Sequence, residues 1–528
     1  MTLLFLPENV VTRRILERRA RATPDVEFIK FEDGSSWTYR QALEISYSAA
    51  NVLRRAGLRQ NDRIGILYGN GPEFIRAWWG AAALGAQVVP INIGYRGRML
   101  EHLLRLSRLD AVVGDPQLMS AFDAITEPGL TPDRRFTAAD LASDDATAPE
   151  LERPIETWDT AFYLLTSGTT GPSKLAVVTY RNIYAGVLCS VPLTRGRDDC
   201  ALVDIPLFHG GALRMAMGGL SFGSRIAVLE RPRMSSYWQT AKETGATLSF
   251  LVSSMVDFVL AQPVSAAERE HSLRILGANP LPSDPKGFME RFGVKELLVA
   301  YGSTEAPGVL RAASGDPLVR GYCGRPQPGY QCRIVDENDI ERPVGEPGEL
   351  IVRHEAPWVI SPAYVDNPAA TAAAWRNGWF HTGDLMRRDE EGRFFYVDRV
   401  KDSLRRRGEN ISSAEVEYEV KAFPGVREAA CVAHRMPNAT DDEVKVWIVP
   451  EQGQTIDCEA LLKFCVERMP YFMTPRFFEV IDELPKTHNQ KILKFDLRER
   501  GNSARTWDRE AHGFVVTRHG LSRIPVDR

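Results

Sequence analysis

Between residues 63 and 114 the hydrophobic period changes at every turn, and this alternation most constrains the fold. Residues 63–68 form a short β-branched run that reads as a strand. Pro72 then stands at a first helical position, ahead of an Ala- and Trp-rich segment that stops at Gly85. A strand at 87–92, a helix at 98–106 and a strand at 111–114 follow. Upstream, Thr38 and Gln41 have capping-box spacing before a helix that ends at Gly57. Strands alternating with helices at this spacing imply a parallel sheet buried under its crossovers. The punctuation returns with a helix at 182–191 and strands at 201–206 and 226–229. It continues through a helix at 237–244, a strand at 247–252, a helix at 254–261 and strands at 273–276 and 296–300. Residues 277–282, Gly-Ala-Asn-Pro-Leu-Pro, read as a turn that ends the strand before them. Residues 127–156, rich in Pro, Asp, Thr and Ala, read as a surface excursion.

From about 321 the texture becomes Gly- and Pro-rich with short alternating runs at 331–335 and 348–352, which implies a small antiparallel β subdomain. The polar, basic stretch 400–407 marks a boundary, giving domains of residues 1–400 and 401–528. The second domain has an α+β pattern. A helix starts at the capping pair Ser412 and Glu415 and stops before Pro424, strands lie at 428–433 and 444–449, and a helix covers 456–468. Residues 502–528 are mixed and polar and are expected to be poorly ordered. The expected class is α/β: a large N-terminal domain of βαβ subdomains with parallel sheets plus a small β subdomain, followed by a smaller α+β C-terminal domain.

Bulk properties exclude several classes. The chain has 528 residues, enough for more than one domain, and its net charge of −4 gives no basic excess for nucleic acid. Seven scattered cysteines form no C-x-x-C pair, and their odd number argues against a disulfide framework and against zinc. A reducing cytoplasm is the expected compartment. No run reaches the roughly 18 apolar residues of a transmembrane helix. Residues 1–7 lack the basic flank and length of a signal peptide.

Two apolar runs, 161–165 and 175–178, are joined by Thr166-Ser167-Gly168-Thr169-Thr170-Gly171-Pro172-Ser173-Lys174. Glycines that let N–H groups converge, several hydroxyls and one lysine suit an oxyanion-rich ligand such as a polyphosphate. The segment is not a Walker A loop. Ser173 stands where that pattern requires Gly-Lys-Ser/Thr, and a strand rather than a helix follows. Taken alone, it fits a flexible polar hairpin equally well. Further polar clusters lie at strand ends or turns: residues 206–212 (Pro-Leu-Phe-His-Gly-Gly-Ala), Tyr301-Gly302-Ser303-Thr304-Glu305, residues 379–385 with Asp384, residues 399–410, and residues 485–491.

With these six segments in order over nearly the whole chain, the sequence resembles the adenylate-forming superfamily: acyl-CoA synthetases, aryl-CoA ligases, amino-acid adenylation domains and firefly-type luciferases. The resemblance implies two half-reactions. A carboxylate attacks the α-phosphate of ATP to give acyl-AMP and pyrophosphate, and a thiol then displaces AMP. It assigns residues 166–174 to the β- and γ-phosphates, with Thr166, Ser167, Gly168, Thr169, Thr170, Gly171 and Lys174 as contacts. Glu305 becomes the Mg²⁺ carboxylate, with Thr169 sharing the ion. Thr304 contacts the α-phosphate, and Tyr301, beside Gly302, stacks on adenine. Gly277, Ala278 and Asn279 lie against the adenine face, while Asp384 and Arg399 hold the ribose. Lys491 reaches the carboxylate and α-phosphate during adenylation, although Gln490 stands where the family usually has glycine. Lys401 is the hinge of a mobile C-terminal domain. Gly408 lines the pantetheine tunnel, and Arg405, Arg406 and Arg407 are within the segment that could meet CoA phosphates. Lys486 and Lys494 are expected to be solvated.

His209 separates subclasses. Amino-acid adenylation domains usually carry aspartate there to hold an ammonium, so Phe208-His209 favours an acyl or aryl acid. Met215, Met217, Met255, Phe258 and Trp238 read as core rather than as a specificity code. The segment Arg-Arg-Gly-Glu-Asn-Ile most resembles carnitine/crotonobetaine-CoA ligase-like enzymes. The expected substrates are ATP, a small carboxylic acid and CoA, with no nucleic-acid partner, and a homodimer is compatible with the reading. Three alternatives stay open: an adenylation enzyme that loads a carrier protein, a non-catalytic nucleotide-binding homologue, and a luciferase-like oxygenase.

Overall fold

The computed structural model describes residues 5–166, 173–190, 198–252, 255–279, 281–282, 284–313, 315–319, 321–399, 403–407, 409–436, 439, 441–485, 492 and 494–523. Among them, a six-stranded sheet runs in the order Arg135–Phe136, Ala111–Gly114, Arg63–Leu67, Gln87–Pro90, Thr160–Thr166, Lys174–Thr179. Its pairs are parallel except the last, an antiparallel hairpin in which Thr166 faces Lys174. A seven-stranded sheet runs Glu296–Leu298, Ile275–Asn279, Leu248–Val252, Cys200–Val203, Arg225–Val228, Glu27–Phe31, Ser36–Thr38, parallel up to its final pair. Strands such as Ala111–Gly114 and Cys200–Val203 are buried along their whole length, as sheets covered on both faces require.

Local signals set the flanking helices. The capping box at Thr38 and Gln41 starts the helix Tyr39–Arg55, and Pro72 opens Pro72–Leu84. Phe28 binds both to the neighbouring sheet, stacking on Tyr39 at 4.6 Å and Trp79 at 5.7 Å between ring centroids. Truncating such an aromatic costs about 3–5 kcal/mol.

One expected turn is a strand. Gly277, Ala278 and Asn279 continue Ile275–Asn279, because Phe250, Leu251 and Val252 pair with them in parallel register. A Cβ at Gly277 would lie 2.1 Å from the Phe250 ring, so glycine lets that ring close on the strand.

A third sheet is antiparallel and includes Tyr322–Pro326, Tyr330–Val335, Gly348–His354, Trp379–Arg388 and Phe394–Arg399. The last part of the chain builds a separate core around Val426–Arg435, Asp442–Pro450, Phe477–Val480 and Trp507–Asp508, covered by Ser413–Lys421 and Cys458–Arg468. Here the tail departs from expectation. Trp507–Asp508 adds a fourth strand, and Phe514 and Val516 of the hairpin Phe514–Thr517/Gly520–Arg523 are buried in that core. Arg406 is buried too: it donates to Phe472 O and Thr474 O (both 3.2 Å) and pairs with Glu443 at 2.7 Å, so it serves the fold. Arg407 lies over the Tyr471 ring. Lys494 is paired with Glu417 at 2.6 Å rather than solvated. Trp238, Met215 and Met217 are core as expected, whereas Phe258 is exposed. No helix among the described residues is long and apolar enough to cross a membrane.

Candidate active site

The hairpin, the third sheet and the small C-terminal core meet around one cleft of about 2580 Å³. Of the residues singled out in the sequence, Thr166, Lys174, His209, Ala278, Tyr301, Gly302, Thr304, Glu305 and Asp384 line it. Gly277 is set into the sheet beneath Phe250 instead. Ser167, Gly168, Thr169, Thr170, Gly171, Lys401, Gly408 and Lys491 lie outside the described residues, as do the side chains of Asn279 and Arg399.

The turn 301–305 is fixed by its backbone. Ser303 N–H donates to Ala306 O (2.9 Å), and Ala306 N–H donates to Ser303 Oγ (3.0 Å). A Cβ on Gly302 would sit 2.5 Å from Gly308 N, so this tight return excludes any other residue. Two donors hold Glu305 O: the buried amide of Asn182 at 3.0 Å and Ser361 N–H at 2.7 Å. The Glu305 side chain thus leaves a rigid base. Tyr364 OH donates to its Oε1 at 2.8 Å, and the Lys174 ammonium lies 4.8 Å from the Tyr364 ring centroid. Burial, then the charge of Glu305, pushes the Tyr364 phenol far up, which keeps it a neutral donor. Among the described residues nothing occupies Glu305 Oε2. A carboxylate with one open oxygen, beside the hairpin that pairs Thr166 with Lys174, fits a hard divalent cation.

Asp384 forms the opposite wall and is nearly fully buried. Tyr301 OH donates to its Oδ2 at 2.5 Å, so the aromatic and the carboxylate expected at one nucleoside are directly bonded. Thr382 Oγ1 donates to Leu350 O (2.7 Å) and accepts from Asp384 N–H (3.2 Å). Glu349 accepts from Gly383 N–H (3.0 Å) and faces His381 Nδ1 (3.0 Å). Burial alone would raise the Glu349 carboxyl, but His381 and Gly383 outweigh it and hold it below its usual range. The backbone of Arg399 lies opposite Asp384 in antiparallel register.

His209 precedes the helix Gly210–Phe222 as its N-cap, and its ring tilts against Phe208 at 4.7 Å. Its Nε2 is 2.6 Å from Glu409 Oε2, on the small hairpin Ser403–Arg406/Glu409–Ser412. A second link runs from Ser173, next to Lys174. Ser173 N–H donates to Glu415 Oε1 (2.9 Å), while Ser173 O faces His102 Nε2 (2.7 Å). Burial raises the Glu415 carboxyl, with Ser173 opposing. One helical turn beyond His209, Arg214 also reaches the cleft. Its Nη2 donates to Ser303 O at 3.2 Å, and burial holds its pKa down to about 10.

Sequence reasoning missed Asn182, Arg214, Glu349, Tyr364 and Glu409, and it read Glu415 only as a helix cap. Glu409 stood in a segment already singled out. The others stand alone in ordinary-looking sequence, and only the fold brings them to the cleft.

The family model described as "AMP-binding enzyme" matches residues 16–361, and "AMP-binding enzyme C-terminal domain" matches residues 415–491. A crotonobetaine/carnitine–CoA ligase of Citrobacter koseri is 31% identical over 482 residues, covering 88% of this chain and 93% of its own. A double mutant of o-succinylbenzoate CoA synthetase from Bacillus subtilis, bound with a product analogue, has a TM-score of 0.82 at 24% identity, covering 92% of this chain and 98% of that one. The AMP complex of that synthetase has a TM-score of 0.67 at 24% identity, covering 94% and 99%.

Proposed function

The chain belongs to the AMP-binding enzyme family, and on that footing we propose an ATP-dependent, AMP-forming acid–CoA ligase. In the first step a carboxylate oxygen attacks the α-phosphorus and the bond to pyrophosphate breaks. In the second the CoA thiolate attacks the acyl carbonyl and the carbon–oxygen bond to AMP breaks. The observation that carries the reading is the single cleft shared by Lys174, Tyr301, Thr304, Glu305 and Asp384.

The residues then divide the work. Asp384 accepts the ribose hydroxyls, with Tyr301 against the base. Thr304 and Lys174 face the phosphates. Glu305, with Thr169, would hold Mg²⁺. The ion supplies charge neutralisation at the phosphates. The turn 301–305 is built in advance, so these groups need little reorganisation as charge develops. Arg399 joins Asp384 at the ribose, and Lys491 approaches the carboxylate in the first step only.

We place the domain boundary between residues 400 and 401, with Lys401 as the hinge and Gly408 beside the thiol path. The bond from Glu409 to His209 couples the hairpin after that hinge to the ring beside the acyl site.

The test is pyrophosphate release over a panel of carboxylic acids, with and without CoA, followed by mass detection of acyl-CoA. Acyl-CoA formed with one pyrophosphate per turnover is the expected result. Release without CoA consumption, together with acylation of a carrier protein, would replace CoA by a carrier as acceptor.

A further inference from the structure

Arg214 sits where an acid ligand would meet it, and the protein gives it almost nothing to bind. Its guanidinium lies between Gly186 and Gly210. A Cβ at Gly186 would be 2.5 Å from its Cδ and Nε, and one at Gly210 would be 3.6 Å from its Cζ. It therefore occupies space that a side chain at Gly186, on the neighbouring helix Tyr180–Ser190, would otherwise fill, and it packs in ordinary contact over Gly210 of its own helix. The guanidinium carries five N–H donors in a planar fork. One of them reaches Ser303 O, and Nε is buried without a partner. No carboxylate lies within ion-pair distance of it among the described residues.

The two deeply buried arginines differ. Arg406 pairs with Glu443, and Arg509 donates to two carbonyls and lies 3.9 Å from Glu510. A half-buried guanidinium whose Nε is buried without a partner and which has no carboxylate beside it is costly, so its position in a cleft wall points to a partner that arrives with the ligand. Ser303 adjoins Thr304, and Arg214 follows His209 by little more than one helical turn. The cation thus lies a short span from the reacting carboxylate.

We propose that the acid substrate carries a second anionic group, a distal carboxylate, and that Arg214 is its specificity-determining partner. The proposal rests on the ligase reading above. It also separates this chain from acids that bear a quaternary ammonium, the class of carnitine, because their fixed cation would be set against Arg214. Cys189 and Gly211 border the same part of the cleft and add no charge to it.

The test compares length-matched acids in pyrophosphate release by the full-length protein with ATP, Mg²⁺ and CoA. The series is succinate and glutarate, butyrate and valerate, and 4-(trimethylammonio)butyrate. The expected kcat/KM favours the dicarboxylates over their monocarboxylate matches by at least ~30-fold, as a charge-assisted bidentate contact gives, and over the ammonium acid by more. Arg214→Met should bring the dicarboxylate-to-monocarboxylate ratio to within about threefold of one, mainly through KM, and Arg214→Lys should restore part of it. The wild-type series needs no variant, so a misfolded Arg214→Met leaves the test intact. Equal or better use of the uncharged or cationic acids would overturn the proposal while the ligase reading stands. Failure of every acid in a broader panel to release pyrophosphate would overturn both.

Discussion

Asp204 follows the strand Cys200–Val203 with both carboxyl oxygens buried and without a well-formed hydrogen bond. Burial raises its pKa to about 7, with the N–H groups of Asp204 and Ile205 offsetting part of the effect. An unfolded aspartate titrates near about 3.9. Between those values the folded chain keeps a proton that the unfolded chain has released, so stability falls as pH rises through the window. The loss is on the order of 4 kcal/mol by pH 8. Melting temperature should drop by several degrees from pH 5 to pH 8 in the parent, and Asp204→Asn should flatten that drop. Parallel pH profiles in calorimetry would reject the assignment. At the same scale, Glu409→Gln replaces a charged acceptor at His209 Nε2 with a neutral one. A charge-assisted bond of this kind corresponds to roughly 10- to 100-fold. Single-turnover assays should find thioester formation from supplied acyl-AMP slowed by about that factor, with adenylation much less affected. Equal slowing of both steps would assign the pair a purely structural role.

Elements were legible where a local signal decides them. Thr38 with Gln41, and Pro72, start helices because capping and a missing donor act within one turn. Residues 277–279 were not legible. Gly-Ala-Asn before proline carries turn chemistry, and only the neighbouring strand Leu248–Val252 makes it a ladder. The tail hid for a different reason. Phe514 and Val516 are its buried anchors and Trp507 packs half-buried against the same core, too sparse a set to make a period among polar neighbours. Yet the tail also closes a polar core. Buried Lys445 pairs with Glu479 at 2.6 Å, and Thr506 and Ser503 bond to that same carboxylate. Removing residues 502–528 would strip these partners and uncover Phe478. The truncated chain should lose about 3–5 kcal/mol in its small core. Limited proteolysis should then cleave within residues 409–501 far sooner than in the full chain. Unchanged protection would mean that the tail only decorates the domain.

At the scale of the whole molecule, six segments were expected to mark the site, but the contacts that join the halves of the cleft span most of the chain. Ser173 meets Glu415 across 242 residues, and His209 meets Glu409 across 200. No local pattern reports such pairs, which is why the chemistry was more readable than the geometry. The same pairs give the domain arrangement a functional meaning. With Glu409 at His209, the hairpin after the proposed hinge is committed to the acyl side of the cleft. The proposed role of Lys491 in adenylation would call for a different arrangement of the small domain. Lys491→Ala should therefore cut adenylation by orders of magnitude and leave thioester formation from supplied acyl-AMP nearly intact. Lys401→Pro would stiffen the chain at the proposed hinge. It should slow thioester formation and spare adenylation, because a hinge that cannot turn keeps the domain out of the thiol arrangement. Rapid-quench measurement of both half-reactions in the two variants decides the matter. If Lys401→Pro slowed adenylation alone, the hinge would have to lie elsewhere.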